Sequence, residues 1–189
     1  MSENTLIAGR PAGWHESGNE STGRAEFTAV RLREIYLHPG QSHVAASPVV
    51  LKMILGSCAG VFFFDSTLKI GGATHFMLPQ HGAGQPSPRY GDVAIAGLLQ
   101  TFLSWGSRRQ DLHAKVFGGA SMLQALQGGR SQIGNIGKRN VEVAFELLGQ
   151  ESVPIVEKDV LGNRGRKVAA VSDTGEISLE FLSQADGNR

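Results

Sequence analysis

Three short apolar runs, each closed by a turn-forming residue or a polar break, constrain this chain more than any other feature. Val49–Leu55 reads VVLKMIL, Ala59–Phe64 reads AGVFFF, and Ile70–Leu78 reads IGGATHFML. Each is too short for an ordinary helix, and the first two are rich in β-branched or aromatic residues. Gly56 and Pro79 punctuate the first and third, so all three read as buried strands. Between the first two lies Cys58, and inside the third lies His75.

The rest of the chain supplies helices and further strands. Gln80–Gly91 is a loop rich in Gly, Gln, Pro and Ser, after which Asp92 is placed to cap a helix. Val93, Ala96, Leu99 and Leu103, with Ile95, Leu98 and Phe102, give that helix a broad apolar face that stops at Gly106. A short strand at Lys115–Phe117 runs into Gly118-Gly119-Ala120-Ser121-Met122, and a second helix is expected over Lys138–Leu148, with Gly149 at its end. Val153–Asp159, Val168–Val171 and Ile177–Leu182 read as strands, the last following an Asp173-Thr174-Gly175 turn. Residues 1–25 hold only Leu6, Ile7 and Trp14 as sizeable apolar side chains, so a disordered or loosely ordered N-terminal tail is expected there. One domain over 26–189 follows, its order beginning near Phe27, with a His38-Pro39-Gly40 turn ahead of the first apolar run. The expected fold class is α/β, a single-domain sandwich of mixed β-sheet strands with packed helices.

Composition narrows the function. A chain of 189 residues with one cysteine can form no intrachain disulfide and no cysteine-rich zinc cluster, and a reducing cytoplasm fits best. The 18 basic against 17 acidic residues give a formal charge of +1, no basis for binding nucleic acid or an anionic membrane. No segment approaches about 18 consecutive apolar residues and the N-terminus lacks an apolar signal core, so neither membrane insertion nor secretion is expected. Glycine, at 25 residues, is nearly twice its average share of roughly 7%, without a repeat or linker run, so the excess belongs in turns.

A lone cysteine is usually a small buried hydrophobe. Cys58, however, follows Leu55-Gly56-Ser57 at a sharp turn between two strands, where a thiol is exposed and its backbone N–H is available to an oxyanion. A thiol also needs an imidazole to take its proton. Five of the six histidines, His15, His38, His43, His81 and His113, fall in the tail, in turns or loops, or at a strand start. His75 alone is embedded in an apolar strand, either as a core histidine bonded to backbone or as the partner of Cys58. No phosphate-loop pattern and no HExxH pair is present, and neither a cofactor nor a metal is expected. Arg164, Arg166 and Lys167 read as a solvated basic loop, with partner docking as the sharper alternative.

The stretch LGSCAGVFFFDSTLKIGGATHFMLP, Leu55 to Pro79, resembles the signature of the CheD family, the chemoreceptor glutamine deamidases of bacterial chemotaxis. Gly118-Gly119-Ala120-Ser121-Met122, Ile136-Gly137-Lys138-Arg139-Asn140 and Asp159–Lys167 resemble the family's later blocks in the same order, so the resemblance runs from about Ile35 to Leu182. It implies a catalytic pair, Cys58 as nucleophile and His75 as acid and base. It also implies a deamidase of protein glutamines, with the cytoplasmic domains of methyl-accepting chemoreceptors as substrate and a CheC-type phosphatase as a possible partner. Family members commonly carry a threonine just before the LGSC turn as a third group, where this chain reads Leu51-Lys52-Met53-Ile54. The rival reading is therefore a non-catalytic interaction module that binds such a phosphatase or receptor.

Overall fold

The three apolar runs do fold as strands, and the neighbours of each explain its composition. In the computed structural model, which describes residues 31–121 and 136–183, the strands are β1 (Arg33–Tyr36), β2 (Gln41–Ala45), β3 (Val49–Leu55), β4 (Ala59–Asp65), β5 (Ile70–Phe76), β6 (Leu112–Gly118), β7 (Ile155–Val160), β8 (Arg166–Val171) and β9 (Ile177–Phe181). The helices are α1 (Gly91–Ser104) and α2 (Ile136–Gln150). One sheet has the order β1-β3-β8-β9 and the other β2-β5-β4-β6-β7. Both are mixed, because β1 runs parallel to β3 and β7 parallel to β6 while the remaining pairs are antiparallel.

Strand β4 is apolar from Ala59 to Phe64 because it is covered on both faces. Ala59, Val61 and Phe63 pack with Ala94, Ile95, Leu98, Leu99 and Phe102 of α1 and with Ala144 and Leu148 of α2. Phe62 instead joins Leu51, Met53, Leu55, Val168 and Ala170 of the first sheet. Two apolar layers result, one between the sheets and one beneath the helices, and each fully buried side chain in them contributes on the order of 1.5–3 kcal/mol. By contrast β3 alternates, with Leu51, Met53 and Leu55 buried inward while Lys52 and Ile54 lie on the outer face. The α/β sandwich with packed helices is thus the observed class, and the described residues from Leu32 onward belong to one compact unit.

Several boundaries differ from expectation. Asp92 is not the N-cap of α1. The helix starts at Gly91 after Tyr90, and its leading N–H groups are taken by the strand exit, Gly91 N–H to Leu78 O and Asp92 N–H to Pro79 O. Orphan donors satisfied by backbone need no side-chain cap. Helix α2 begins two residues earlier and ends two later than the apolar spacing suggested, with Gly149 inside its last turn. His43 lies in β2 rather than in a turn. The expected tail over residues 1–25, Met122 and Gly128-Gly129 lie outside the described residues.

Candidate active site

The first sheet ends at Leu55 and the second begins at Ala59, so Gly56-Ser57-Cys58 is the turn by which the chain crosses from one sheet to the other. Register then fixes where Cys58 stands relative to His75. Gly60 pairs with His75 across the β4–β5 ladder, and directly opposed residues share a face. Cys58, two residues before Gly60, continues that face. Extending the ladder by one residue into the turn makes it the diagonal neighbour of His75, positions about 7–8 Å apart within a sheet, and Cys58 packs against the cluster between the sheets on that side. The position between them is a glycine because Met53 Sδ from the facing sheet occupies the place a side chain would take.

The two groups differ in access. Cys58 is half-buried and Ser57 is exposed, whereas His75 is only 2% exposed. His75 Nδ1 lies 2.9 Å from the carbonyl oxygen of Leu37. A carbonyl only accepts, so Nδ1 carries the proton and the neutral ring presents a bare lone pair at Nε2. That Nε2 is buried and has no hydrogen-bond partner among the described residues. Burial lowers the His75 pKa against the opposing Leu37 hydrogen bond, with the nearby His38 charge acting in the same sense as burial. Burial likewise pushes the Cys58 thiol up, partly countered by its own backbone N–H. Burial thus favours the neutral form of each group, thiol and imidazole, over thiolate and imidazolium.

The crossover turn is pinned at each of its three carbonyls. Ala120 N–H donates to Gly56 O and Gly119 N–H to Cys58 O, both at 2.8 Å. Asn140 of α2, wholly buried, donates from Nδ2 to Ser57 O at 2.9 Å and to Met77 O at 3.1 Å. Among the described residues the N–H groups of Ser57 and Cys58 make no backbone hydrogen bond. Two glycines allow this approach: Gly118, at φ +104°, has no room for a side chain against Cys58 O, and Gly119 is at φ +71°.

The remaining resembling block arrives at the same rim. Leu161 N–H donates to Gly118 O and Ser121 N–H to Gly162 O. Arg166 is not the solvated residue expected of a basic loop. It is 2% exposed, donates to the carbonyls of Gly118, Asp159 and Leu161, and pairs with Asp159 at 3.1 Å. Its neighbours Arg164 and Lys167 are exposed, as expected. Lys52, in the stretch where the family's threonine was expected, points out of the sandwich and pairs with Glu34 at 2.5 Å. Among the described residues no cluster of His, Cys, Asp or Glu could hold a metal, and no helix is long and apolar enough to cross a membrane.

Fold and site together define a class: an α/β sandwich with a cysteine on an inter-sheet turn and a base-bearing histidine one register step away. The model of the family described as "CheD chemotactic sensory transduction" matches residues 77–181, and this chain belongs to the CheD family. It is 42% identical over 149 residues to "Probable chemoreceptor glutamine deamidase CheD 1" of Anaeromyxobacter dehalogenans, covering 79% of this chain and 85% of that one. It is 35% identical over 153 residues to "Probable chemoreceptor glutamine deamidase CheD" of Sulfurimonas denitrificans, covering 80% and 96%. Among solved structures, a hypothetical protein YfiH of Bacillus licheniformis matches with a TM-score of 0.44 and 17% identity over 65% of this chain and 51% of that one.

Proposed function

We propose that this chain is a protein-glutamine deamidase that hydrolyses glutamine side chains of chemoreceptor cytoplasmic domains to glutamate, with Cys58 as nucleophile and His75 as general base and acid. The observation that carries the reading is the state of His75, whose Nδ1 is locked by Leu37 while its buried Nε2 is bare on the face it shares with Cys58. An unsatisfied buried acceptor costs on the order of 1–3 kcal/mol, a penalty that makes sense where the atom must take a proton.

The steps follow from these groups. Nε2 takes the thiol proton as Sγ bonds to the carboxamide carbon, and the developing oxyanion is met by the N–H groups of Ser57 and Cys58. Nε2–H then protonates the departing nitrogen, ammonia leaves, and a thioester joins the substrate to Cys58. Water loses a proton to Nε2 and attacks the thioester carbon. Collapse of that second intermediate breaks the carbon–sulfur bond and returns the proton to sulfur, leaving glutamate. The chemistry needs no cofactor. The third role assigned in the family to a threonine falls here to the Leu37 carbonyl, which orients the ring without a side chain.

Incubation with a purified chemoreceptor cytoplasmic fragment tests the reading, with mass spectrometry following the Gln-to-Glu conversion. Conversion at particular glutamines is the expected result. Binding of the fragment, or of a CheC-type phosphatase, with every glutamine left intact would instead make the chain a non-catalytic interaction module.

A further inference from the structure

The three pinned carbonyls of the crossover turn come from three different donors, and only one of those donors is a side chain. Asn140 sits one helical turn after Gly137, and the two share a face of α2. Gly137 brings the helix so close to the β6 exit that a side chain there would meet Gly119 O at 2.5 Å. From that foothold the Asn140 amide spends both of its hydrogens on backbone carbonyls, Ser57 O and Met77 O. These belong to the residue before Cys58 and to the residue that follows β5. Its own Oδ1 stays buried and unpartnered among the described residues, a standing penalty carried by a residue whose two donors are both in use.

The consequence is directional. The Ser57–Cys58 peptide is trans and planar, so its C=O and N–H point to opposite sides. Fixing Ser57 O against α2 fixes Cys58 N–H away from it. We propose that Asn140 is a positioning residue for the reaction: through the Ser57 carbonyl it sets the aim of the Cys58 N–H toward the developing oxyanion, and through Met77 O it ties β5, with His75, to the same turn. This inference rests on the deamidase reading, because only an acyl-transfer step gives that N–H an oxyanion to meet.

The test compares the full-length wild type with Asn140→Ala, which offers neither donor, and Asn140→Ser, whose hydroxyl offers at most one. Three quantities are measured: kcat and KM for the receptor fragment, the rate of Cys58 alkylation by iodoacetamide, and Tm. Alkylation displaces iodide at a saturated carbon and develops no oxyanion, so misaim of the N–H reaches it only through the small lowering of the thiol pKa that the same N–H supplies. The expected result is a kcat lowered on the order of 10- to 100-fold in Asn140→Ala, less in Asn140→Ser, with KM and the alkylation rate within about 3-fold of wild type. An unchanged kcat, or kcat, alkylation and Tm falling in parallel, would overturn the proposal. Where Asn140→Ala fails to fold, Asn140→Ser decides by the same criteria. A wild-type chain without turnover sinks the deamidase reading instead. The clamp is then judged by NMR: the Cys58 amide nitrogen, bonded to the Ser57 carbonyl carbon, shifts in the variants if that carbonyl loses its donor and stays put if the clamp is illusory.

Discussion

At the scale of single residues, the neutral pairing of Cys58 and His75 has consequences for pH. The His75 pKa lies below the ordinary imidazole value of about 6.5, so the folded protein keeps its base as pH falls through 6.5 while the unfolded chain takes up a proton there. Stability contributed at this site is complete above the unfolded pKa and declines as pH drops below it. The acid limb of kcat/KM, which reports the free enzyme, is therefore expected below pH 6.5, in a range where Tm is already falling. A stopped-assay pH profile alongside thermal scans checks both, and an acid limb above 6.5 would contradict the assignment. Lys52 gives a second prediction. Because its side chain pairs with Glu34 on the outer face while its backbone oxygen receives Leu37 N–H, Lys52→Ala should leave kcat within about 2-fold, an exposed pair being worth only 0–1 kcal/mol or so. A loss of 10-fold or more in steady-state assays would mean that the lysine acts in the site after all. The contrast between what the residues did and did not disclose lies here too. Cys58 and His75 stand out by type and place, but the Leu37 carbonyl is a group every residue owns, and Asn140 is a polar residue in a helix whose apolar spacing says nothing of its partners.

At the scale of elements, the crossover turn is held from two sides, by the exit of β6 and by the start of α2. Gly137 decides how near α2 can come. Replacing a glycine inside a helix by alanine usually gains up to about 1 kcal/mol in propensity, and less at the second residue of the helix, where Gly137 stands. Here the new methyl would press on the backbone oxygens of Gly119 and Ala120, atoms that cannot rotate away. Gly137→Ala is expected to destabilise by about 1–3 kcal/mol, read as a drop in urea midpoint, and to reduce turnover more than Cys58 alkylation. A stabilised variant would show that the helix has room to spare. Strands β3, β4 and β5 were legible because they are buried and apolar. Strands β1 and β2 were not, since each is a sheet edge with polar residues at its start and at most one buried residue, and the His38-Pro39-Gly40 turn between them moves the chain from one sheet to the other rather than closing a hairpin.

At the scale of the whole molecule, the resembling blocks that lie far apart in sequence meet at one end of the sandwich. Gly56–Cys58, Met77, Gly118–Ser121, Asn140 and Leu161–Arg166 are joined there by backbone and buried side-chain hydrogen bonds. The glycine excess is explained in part by this rim, where backbones approach too closely for side chains. Arg166, whose type suggested a solvated loop, is drawn in because three carbonyls and Asp159 surround it, an environment a sequence does not display. On the proposed deamidase mechanism this rim holds the Cys58 thiol near the His75 base. Turnover of the receptor fragment by wild type, Cys58→Ala and His75→Ala, followed by mass spectrometry with folding confirmed by Tm, measures whether it does so. The proposed Cys58–His75 pair gives conversion by wild type and a loss of at least about 10³-fold in each variant. Conversion that persists in folded Cys58→Ala would contradict it.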